Sequence, residues 1–282
     1  MTNRAILDGT KPGAGDEMTD DVLREETIRQ YLKNDRLKLQ VTDSITSTNT
    51  VLKAMAEEGA EEGLCLVAGE QTAGRGRLGR SFYSPPDSGL YLSLLLRPGL
   101  QAADAASITA CAAVAVAEAV ECLAPVKAEI KWVNDVYVEG RKACGILTEA
   151  SVDGKSGQVN YLLVGIGVNT RVPDGGFPGE LRSIAGSVFG ERDIPDLRCR
   201  LAAEILDRLT EYTSHLQEKE WFGEYRRRSM VLGKKILILS PGKEPEPATA
   251  VDLAPDFSLV IRTENGELHR LNSGEVSIRP TE

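Results

Sequence analysis

The chain has 282 residues, of which 41% are hydrophobic, and a formal net charge of −9 at pH 7. Such a length accommodates one large domain and one small one with a buried core. The acidic balance argues against nucleic acid and membrane surfaces as partners, because both attract proteins through a basic face. Any site for an anion must therefore depend on a local group of basic residues.

The residues that usually hold metals are sparse. The five cysteines are widely spaced and form no CxxC pair, which indicates reduced thiols in a cytoplasmic protein. With only two histidines, His215 and His269, a histidine metal cluster or a Ser/His/Asp triad is hard to assemble. No metal ligands are therefore predicted.

Residues 1–20 are polar and acidic, which predicts a flexible N-terminal tail rather than a signal sequence. Apolar periodicity and capping residues then predict mixed helices and strands up to residue 230. In chain order these are helix 21–32, strand 38–44, helix 47–59, strands 64–71 and 90–98, helix 108–125, strands 129–135, 136–142, 143–151 and 159–169, and helices 195–217 and 221–230.

The helix predicted at residues 108–125 is the most hydrophobic one. It contains Glu118 and Glu121, which a lipid span would tolerate poorly, so it is expected to be a core helix. After residue 230 short alternating segments separated by Gly, Pro, Asn and Asp predict a small β-barrel. The predicted units are thus a catalytic domain at 21–230 and a barrel at 231–282.

The segment AGRGRLGRSFYSPPDSG, residues 73–89, joins two predicted strands. Its glycines imitate the dinucleotide fingerprint, and residues 74–81 imitate a Walker loop with Arg80 in place of the lysine. The dinucleotide motif needs a helix after its third glycine, and Pro85 and Pro86 forbid a regular helix there. Both phosphate-loop interpretations are therefore rejected.

The arginines of this segment, Arg75, Arg77 and Arg80, alternate with glycines at close spacing. Guanidinium groups bind phosphates and carboxylates through paired hydrogen bonds, and glycines let a backbone fold over a ligand. The segment is predicted to be a lid that closes over an anion. A solvated basic turn and an arginine-glycine segment that binds nucleic acid are the alternatives.

Two later stretches also gather polar or flexible residues. KWVNDVYVEGRKACGIL, residues 131–147, brings amide, carboxylate and basic groups into one strand-turn-strand unit. VGIGVNT, residues 164–170, has two glycines in an apolar strand, which indicates close approach of a ligand or another backbone. Asn169 at its end is either a polar contact to a ligand or a turn residue.

The order of these motifs resembles that of the biotin protein ligases, which attach biotin to a lysine of a carrier domain. The similarity extends from about residue 44 to the C-terminus. The matching stretches are STN at 47–49, GEQTAGRGRLGR at 69–80, KWVNDVYVEGRK at 131–142, GIL at 145–147, GIGVN at 165–169 and GEVSIR at 274–279.

The resemblance implies separate groups of residues for biotin and for ATP. The biotin group is Ser47, Thr48, Asn49, Gln71, Gly74, Arg75, Gly76, Arg77, Lys142 and Gly145. The ATP group is Arg77, Arg80, Lys131, Asn134, Asn169 and Arg279. The residues assigned to catalysis are Arg75, Lys131, Asp135 and Lys142. For Asp135 two roles are open: to orient or accept the proton of the acceptor lysine, or to hydrogen-bond the turn.

The implied fold is α+β: a mixed β-sheet like that of class-II synthetases with flanking helices, and an SH3-like barrel at the C-terminus. The implied enzyme uses ATP, with Mg²⁺ bound to it, to form biotinyl-5'-AMP and pyrophosphate. It then transfers biotin to a biotin carboxyl carrier domain of a carboxylase. A homodimer is left open. Because only one helix precedes residue 47, a form without the family's N-terminal DNA-binding domain is expected.

Two alternative functions share much of this pattern: a lipoate-protein ligase of the same fold, and a regulator that senses biotin without transferring it. The sequence also departs from the family pattern at three positions. Leu78 replaces a residue that is often basic, Val133 replaces the proline of the KWPND motif, and Cys144 replaces a small residue. Cys144 is expected to narrow the biotin pocket.

Overall fold

The structure, a computed structural model, describes residues 21–240 and 242–272 together with the backbone of 277–280. The tail predicted at 1–20 lies outside the described residues. The described helices are α1 (Glu25–Tyr31), α2 (Thr48–Glu57), α3 (Ala105–Leu123), α4 (Leu181–Ile184), α5 (Leu197–Ser214) and α6 (Phe222–Arg228).

The described strands belong to two sheets. The large sheet contains β1 (Lys38–Ile45), β2 (Leu64–Gln71), β3 (Gly89–Leu96), β4 (Ala128–Lys131), β5 (Asp135–Val138), β6 (Arg141–Val152) and β7 (Val159–Asn169). The small sheet contains β8 (Lys235–Leu239), β9 (Glu246–Leu253), β10 (Leu259–Thr263), β11 (Leu268–Leu271) and β12 (Ser277–Pro280).

The large sheet has the strand order β1-β2-β3-β7-β6-β5-β4. Strands β1 and β2 are parallel, and the other neighbours are antiparallel, so the sheet is mixed. Helices α3 and α5 pack on each other and cover one face, whereas α2 packs against the other face. The predicted α+β class with a mixed sheet and flanking helices is confirmed.

Helix α3 is the hydrophobic helix of the sequence. Among the described residues it alone is long and apolar enough to cross a membrane, but 72% of its most apolar window is buried inside the protein. Its alanines and valines, from Ala110 to Val120, allow close packing against the sheet and α5. The prediction of a core helix is confirmed.

Residues 129–142 were predicted as two strands, 129–135 and 136–142, but in the structure the strands begin and end at other positions. A turn at residues 132–134 ends β4, and β5 begins at Asp135. A second turn follows β5 because Glu139 and Gly140 both have positive φ angles, 51° and 73°, the combination of a tight hairpin turn. The short helix α4 was not predicted.

The C-terminal strands form an antiparallel sheet with the order β11-β10-β9-β8-β12. The short alternating segments predicted after residue 230, at 234–240, 247–254, 258–263, 267–272 and 275–279, each overlap one of these strands. Closure of the sheet into an SH3-like barrel, and a domain boundary near residue 230, stay predictions. The apolar core continues across that position, because Ile236, Phe257 and Leu259 belong to the same cluster as α3 and the large sheet.

Candidate functional site

A cavity of about 800 Å³ opens on the face of the large sheet that carries α2. This volume lies in the range typical of small-molecule sites. The cavity is bordered by the loop after β2, the turn after β4, strands β6 and β7, and the segment around α4. Its charged lining comprises five basic side chains and two carboxylates: Arg75, Arg77, Arg80, Lys131, Lys142, Asp135 and Glu180. The site is thus locally basic on an acidic chain.

The start of α2 supplies one polar wall. Ser47 is the N-cap, and its hydroxyl accepts the amide N–H of Thr50 at 3.5 Å. Thr48 donates its backbone N–H and its hydroxyl to Gln71 Oε1, at 2.9 and 3.1 Å. Because Gln71 ends β2, these bonds tie the helix start to the strand that leads into the glycine-arginine loop.

A chain of buried polar groups continues across the sheet from this wall. Ser93 in β3 donates its hydroxyl to Asn49 Oδ1 at 2.6 Å and lies 2.7 Å from Thr48 Oγ1. Asn49 Nδ2 donates to Glu149 Oε2 at 2.8 Å and to the Leu147 carbonyl at 3.2 Å. We call Gln71, Thr48, Ser93, Asn49 and Glu149 the polar ladder. It presents donors and acceptors beside the cavity.

Glycines of β6 and β7 form the floor of the cavity. A Cβ at Gly167 would lie 2.6 Å from the Phe82 ring, and one at Gly145 would lie 3.1 Å from it. A Cβ at Gly165 would lie 2.3 Å from Asn49 Oδ1. The glycines therefore allow the Phe82 ring and the Asn49 amide to lie directly on the sheet. The sequence pattern predicted close approach of a ligand or another backbone, and the groups found there are two side chains of the protein.

The glycine-arginine loop has a defined backbone. Arg75 and Ser81 form an isolated β-bridge, and the Gly76 N–H donates to the Arg80 carbonyl at 2.7 Å. Leu78, at the tip, has a φ of 56° and is 53% exposed. The conformation is a narrow hairpin that projects beside the cavity. Closure of this loop over a ligand stays a prediction.

Three basic side chains reach the cavity, two from the glycine-arginine loop and one from β6, and each is held by a neighbour. Arg75 Nη1 lies 3.0 Å from Glu149 Oε1, at the end of the polar ladder. Arg77 Nη1 donates to Asn134 Oδ1 at 2.8 Å, and burial lowers the pKa of this guanidinium.

The third of these groups is Lys142, whose Nζ lies 2.7 Å from Asp135 Oδ1. Asn134 Nδ2 donates to the same carboxylate oxygen at 3.1 Å and to the Ile146 carbonyl at 2.9 Å. One hydrogen-bonded unit therefore joins the turn after β4 to β6 and places a carboxylate next to an ammonium group.

Three residues assigned to the ATP side also line the cavity: Arg80, Lys131 and Asn169. Lys131 Nζ lies 5.9 Å from the centroid of the Tyr137 ring. Burial, with a smaller contribution from Asp135, raises the pKa of Tyr137 to about 12. Asn169 donates its amide to the Gly186 carbonyl at 3.0 Å, so it fixes the chain after β7 as well as facing the cavity.

The structure thus brings most of the predicted site residues to one cavity, with two exceptions. Gly74 is not among the lining residues; a Cβ there would lie 2.4 Å from the Phe82 carbonyl, so this glycine permits close backbone pairing at the base of the loop. The side chain of Arg279 lies outside the described residues, although its backbone pairs with Leu237.

The expectation for Cys144 is wrong. This side chain is fully buried in the core cluster with α3 and is not among the residues that line the cavity. Alternation along β6 explains the difference, because Gly145 faces the cavity and its neighbour faces the opposite side of the sheet.

Three contributors to the site were missed by the sequence analysis: Phe82, Ser93 and Glu149. Ser93 could have been found, since it is the one polar residue of the stretch GLYLSLLL. Glu149 follows the GIL motif on the same strand. Nothing in the sequence around Phe82 indicates that its ring lies on the glycine floor.

The described residues offer no group of three or more His, Cys, Asp or Glu side chains that could hold a metal ion. The site carboxylates Asp135 and Glu149 both contact basic groups instead. These residues do not fit a resident metal site of the protein.

Comparison with known proteins identifies the family. A model of the Biotin/lipoate A/B protein ligase family matches residues 41–169. The biotin protein ligase from Aquifex aeolicus, solved in complex with biotin and ATP, is 31% identical, with a TM-score of 0.71; the match covers 86% of this chain and 99% of that one. The chain belongs to the biotin protein ligase family. The resemblance stated from the sequence motifs is confirmed.

Curated relatives of this biotin protein ligase family member differ in length. The bifunctional ligase/repressor BirA of Bacillus spizizenii is 38% identical over 168 residues, which are 59% of this chain and 51% of that protein. The chain therefore spans about half the length of this relative. The biotin--[acetyl-CoA-carboxylase] ligase of Mycobacterium tuberculosis is 28% identical over 226 residues, 77% of this chain and 80% of that protein.

Proposed function

We propose that the protein is an ATP-dependent biotin protein ligase that makes biotinyl-5'-AMP and transfers the biotinyl group to a lysine of a biotin carboxyl carrier domain. The observation that carries this proposal is that Arg75 and Arg77 of the glycine-arginine loop and Lys142 of β6 line one cavity beside the polar ladder. The match to a ligase solved with biotin and ATP supports the same substrates. The name of the Mycobacterium tuberculosis relative supports a carrier domain of a carboxylase as acceptor.

The polar ladder and the wall at Ser47 suit the ring end of biotin. A ureido ring presents two N–H donors and one carbonyl acceptor, and the amide and hydroxyl groups of Gln71, Thr48 and Asn49 supply both complements. The thioether ring would pack beside the Phe82 ring, which covers Gly145 and Gly167 of the glycine floor. A lipoyl group has no ureido N–H or carbonyl groups with which these side chains could form hydrogen bonds, which favours biotin.

In the first step a carboxylate oxygen of biotin attacks the α-phosphorus of ATP, and the bond from that phosphorus to the pyrophosphate oxygen breaks. Both reactants are anions, so their approach is opposed by charge repulsion. Arg75, Arg77 and Lys142 offset this repulsion and stabilise the charge that develops on the phosphoryl oxygens; one such donor contributes about 3 kcal/mol. Mg²⁺, bound to the ATP phosphates, would neutralise charge on the leaving pyrophosphate.

The product of this step is a mixed anhydride that water hydrolyses. The glycine-arginine loop, whose tip is exposed beside the cavity, is suited to cover it. Arg75 is the residue of this loop that contacts the polar ladder, through Glu149. In the proposed closed form it would hold the loop over the adenylate.

In the second step the acceptor lysine attacks the biotinyl carbonyl carbon, and the bond from that carbon to the phosphate oxygen breaks with release of AMP. The amine must first lose a proton. Asp135 is the proposed group to orient or accept it, because its carboxylate lies at the cavity and is held by Asn134 and Lys142. A structural role in the turn is the alternative.

The direct test is incubation of the protein with biotin, ATP, Mg²⁺ and an isolated biotin carboxyl carrier domain, followed by intact mass measurement. We expect the carrier to gain one biotinyl group that depends on ATP and on its acceptor lysine. A parallel reaction with lipoate is expected to leave the carrier unmodified. Binding of biotin without any modified carrier would favour a biotin-sensing regulator, and modification by lipoate would favour a lipoate-protein ligase.

A further inference from the structure

The turn at residues 132–134 is held from behind by the C-terminal third of the chain. Trp132 donates its indole N–H to the Phe257 carbonyl at 2.9 Å. Tyr225 in α6 donates its hydroxyl to the Val133 carbonyl at 3.1 Å. Both bonds join residues far apart in sequence and lie in the buried core. Residues outside the cavity therefore determine where this turn sits.

The ring of Tyr225 has little freedom to move. It is 1% exposed and packs edge-on against Phe257, with ring centroids 5.9 Å apart. Phe257 in turn stacks on Trp221 at 5.0 Å. Burial raises the pKa of Tyr225, so its hydroxyl stays protonated and available as a donor. The phenol is a fixed donor aimed at a single carbonyl.

The opposite side of the turn faces the cavity. Val133 is followed directly by Asn134, which accepts from Arg77 and donates to Asp135 and to the Ile146 carbonyl. Asp135 holds Lys142. Because the Val133 carbonyl and the Asn134 nitrogen belong to the same planar peptide unit, a shift of that carbonyl moves Asn134 and with it the contacts to Arg77 and Lys142. None of these bonds joins the turn to a residue of the polar ladder.

We propose that Tyr225 is a positioning residue for the adenylation step: its hydroxyl fixes the Val133 carbonyl and thereby the Asn134 amide that holds Arg77. The inference rests on the proposed ligase function. It assigns to α6, none of whose residues lines the cavity, a part in the geometry of the phosphate side of the site. It also predicts a larger effect on ATP use than on biotin binding, because none of these bonds involves the polar ladder that is proposed to hold the ring end of biotin.

The first test compares Tyr225→Phe with Tyr212→Phe. Tyr225→Phe keeps the ring contacts and removes only the hydroxyl, which leaves the buried Val133 carbonyl without its partner. Tyr212 is a matched control because its hydroxyl donates to Glu118 Oε2 at 2.6 Å, between α5 and α3 and away from the turn. The measurements are ATP-dependent pyrophosphate exchange and calorimetric binding of biotin without ATP.

For Tyr225→Phe we expect kcat/KM for ATP to fall about tenfold while the Kd for biotin changes less than about twofold. Tyr212→Phe is expected to alter neither quantity by more than about twofold. An unchanged kcat/KM for ATP in Tyr225→Phe would overturn the inference. Equal losses of ATP use and biotin affinity would also overturn it, since they would indicate general damage to the fold.

A second readout does not depend on activity. The Ile146 N–H donates to the Asn134 carbonyl at 3.0 Å, so hydrogen exchange of residues 132–146 reports on the turn. We expect faster exchange there in Tyr225→Phe but not in Tyr212→Phe, and equal exchange would contradict the proposal. If the wild-type protein makes no adenylate, the proposed function fails, whereas this exchange experiment still tests the positioning by Tyr225.

Discussion

Three basic residues of the site, Arg75, Arg77 and Lys142, are held by different groups, and these groups offset the positive charge to different extents. Arg77 donates to the neutral amide oxygen of Asn134, and the charge of the Asp135 carboxylate also acts on this guanidinium. Arg75 and Lys142 are in direct contact with the carboxylates of Glu149 and Asp135, which offset part of their charge in the absence of substrate. An arriving anion therefore competes with a carboxylate in direct contact at Arg75 and at Lys142. These contacts also restrict the side chains before the ligand binds.

Lys142 provides the sharpest single-residue test of adenylation. Its replacement by alanine removes one of the three basic groups that would meet the phosphate and carboxylate charges. We expect biotin-dependent pyrophosphate exchange to fall by about 10²- to 10³-fold in Lys142→Ala. Thermal melting is measured alongside, because the Lys142 and Asp135 side chains are only 29% and 17% exposed and breaking their pair lowers stability as well; the variant is expected to remain folded at the assay temperature. Lys127→Ala, which breaks an exposed pair with Glu129, is the control for loss of a lysine charge; a near-normal exchange rate in Lys142→Ala would contradict the assignment.

Arg75 provides a test of the lid. In Arg75→Ala the loop loses its ion pair to Glu149 and a charged contact to the adenylate. We expect biotinyl-5'-AMP to escape from this variant at least about tenfold faster than from the wild type, measured by filtration of enzyme loaded with labelled biotin. Arg29→Ala, which loses an exposed pair with Glu25 in α1, should retain the adenylate. Equal retention by both variants would argue against a closing role for the loop.

Among the elements, β6 and β7 shape the site because they carry glycine, without a side chain, at positions that face the cavity. Side chains at their cavity-facing positions would exclude the Phe82 ring and the Asn49 amide, and glycine removes that obstacle at Gly145, Gly165 and Gly167. The opposite face of the same strands carries valine and isoleucine that pack against α3. Because side chains alternate along a strand, the same two strands contribute apolar side chains to the core on one face of the sheet and glycines to the cavity floor on the other.

Gly165→Ala tests this floor. The added Cβ would lie 2.3 Å from Asn49 Oδ1, so the amide must move and lose its bonds to Ser93 and Glu149. We expect a loss of about 1–3 kcal/mol in the free energy of unfolding and an approximately tenfold weaker affinity for biotin. Gly154→Ala is the control, because nothing lies within 4 Å of its Cβ. Wild-type biotin affinity in Gly165→Ala would contradict the proposed pocket.

Much of this architecture could be predicted from the sequence because its signals are local. Apolar runs identified β3 and β7, and the capping serine identified the start of α2. The turn at residues 132–134 was missed because its backbone is set by tertiary bonds, including those from Tyr225 and Phe257. The role of Phe82 was missed for the same reason, since a ring that packs on distant glycines has no local pattern.

For the molecule as a whole, the two sheets share one core, and a buried ion pair lies near their junction. Arg228 in α6 donates to Glu121 in α3 at 2.7 and 2.8 Å, and to the Ala128 carbonyl at the start of β4 at 3.3 Å. The arginine side chain is 5% exposed and the glutamate 29%. This pair links the core helix to the helix that carries Tyr225. Its protonation state therefore bears on the stability of the whole chain.

Lowering the pH is expected to weaken the ion pair between Glu121 and Arg228, because the glutamate becomes protonated. Burial raises the pKa of Glu121, but hydrogen bonds from Arg228 and the Ala128 amide and the arginine charge outweigh it, so the pKa lies below its ordinary value of 4.5. The unfolded chain then binds more protons than the folded one as the pH falls. The stability from this group is fully present above pH 4.5 and is lost as the pH drops through the lowered pKa.

Glu121→Gln removes this titration and leaves the Arg228 charge without its closest counter-charge. We expect the free energy of unfolding at pH 7 to fall by up to about 3 kcal/mol, the low end for a broken buried pair because Glu121 is partly exposed. Below pH 4.5 the difference between variant and wild type should narrow. Denaturant melts from pH 7 to pH 3.5 measure this, with Glu25→Gln in an exposed pair as control. A difference that stays constant across this range would mean that Glu121 keeps the same pKa when the chain unfolds, which would contradict a stabilising effect of its charge in the pair with Arg228.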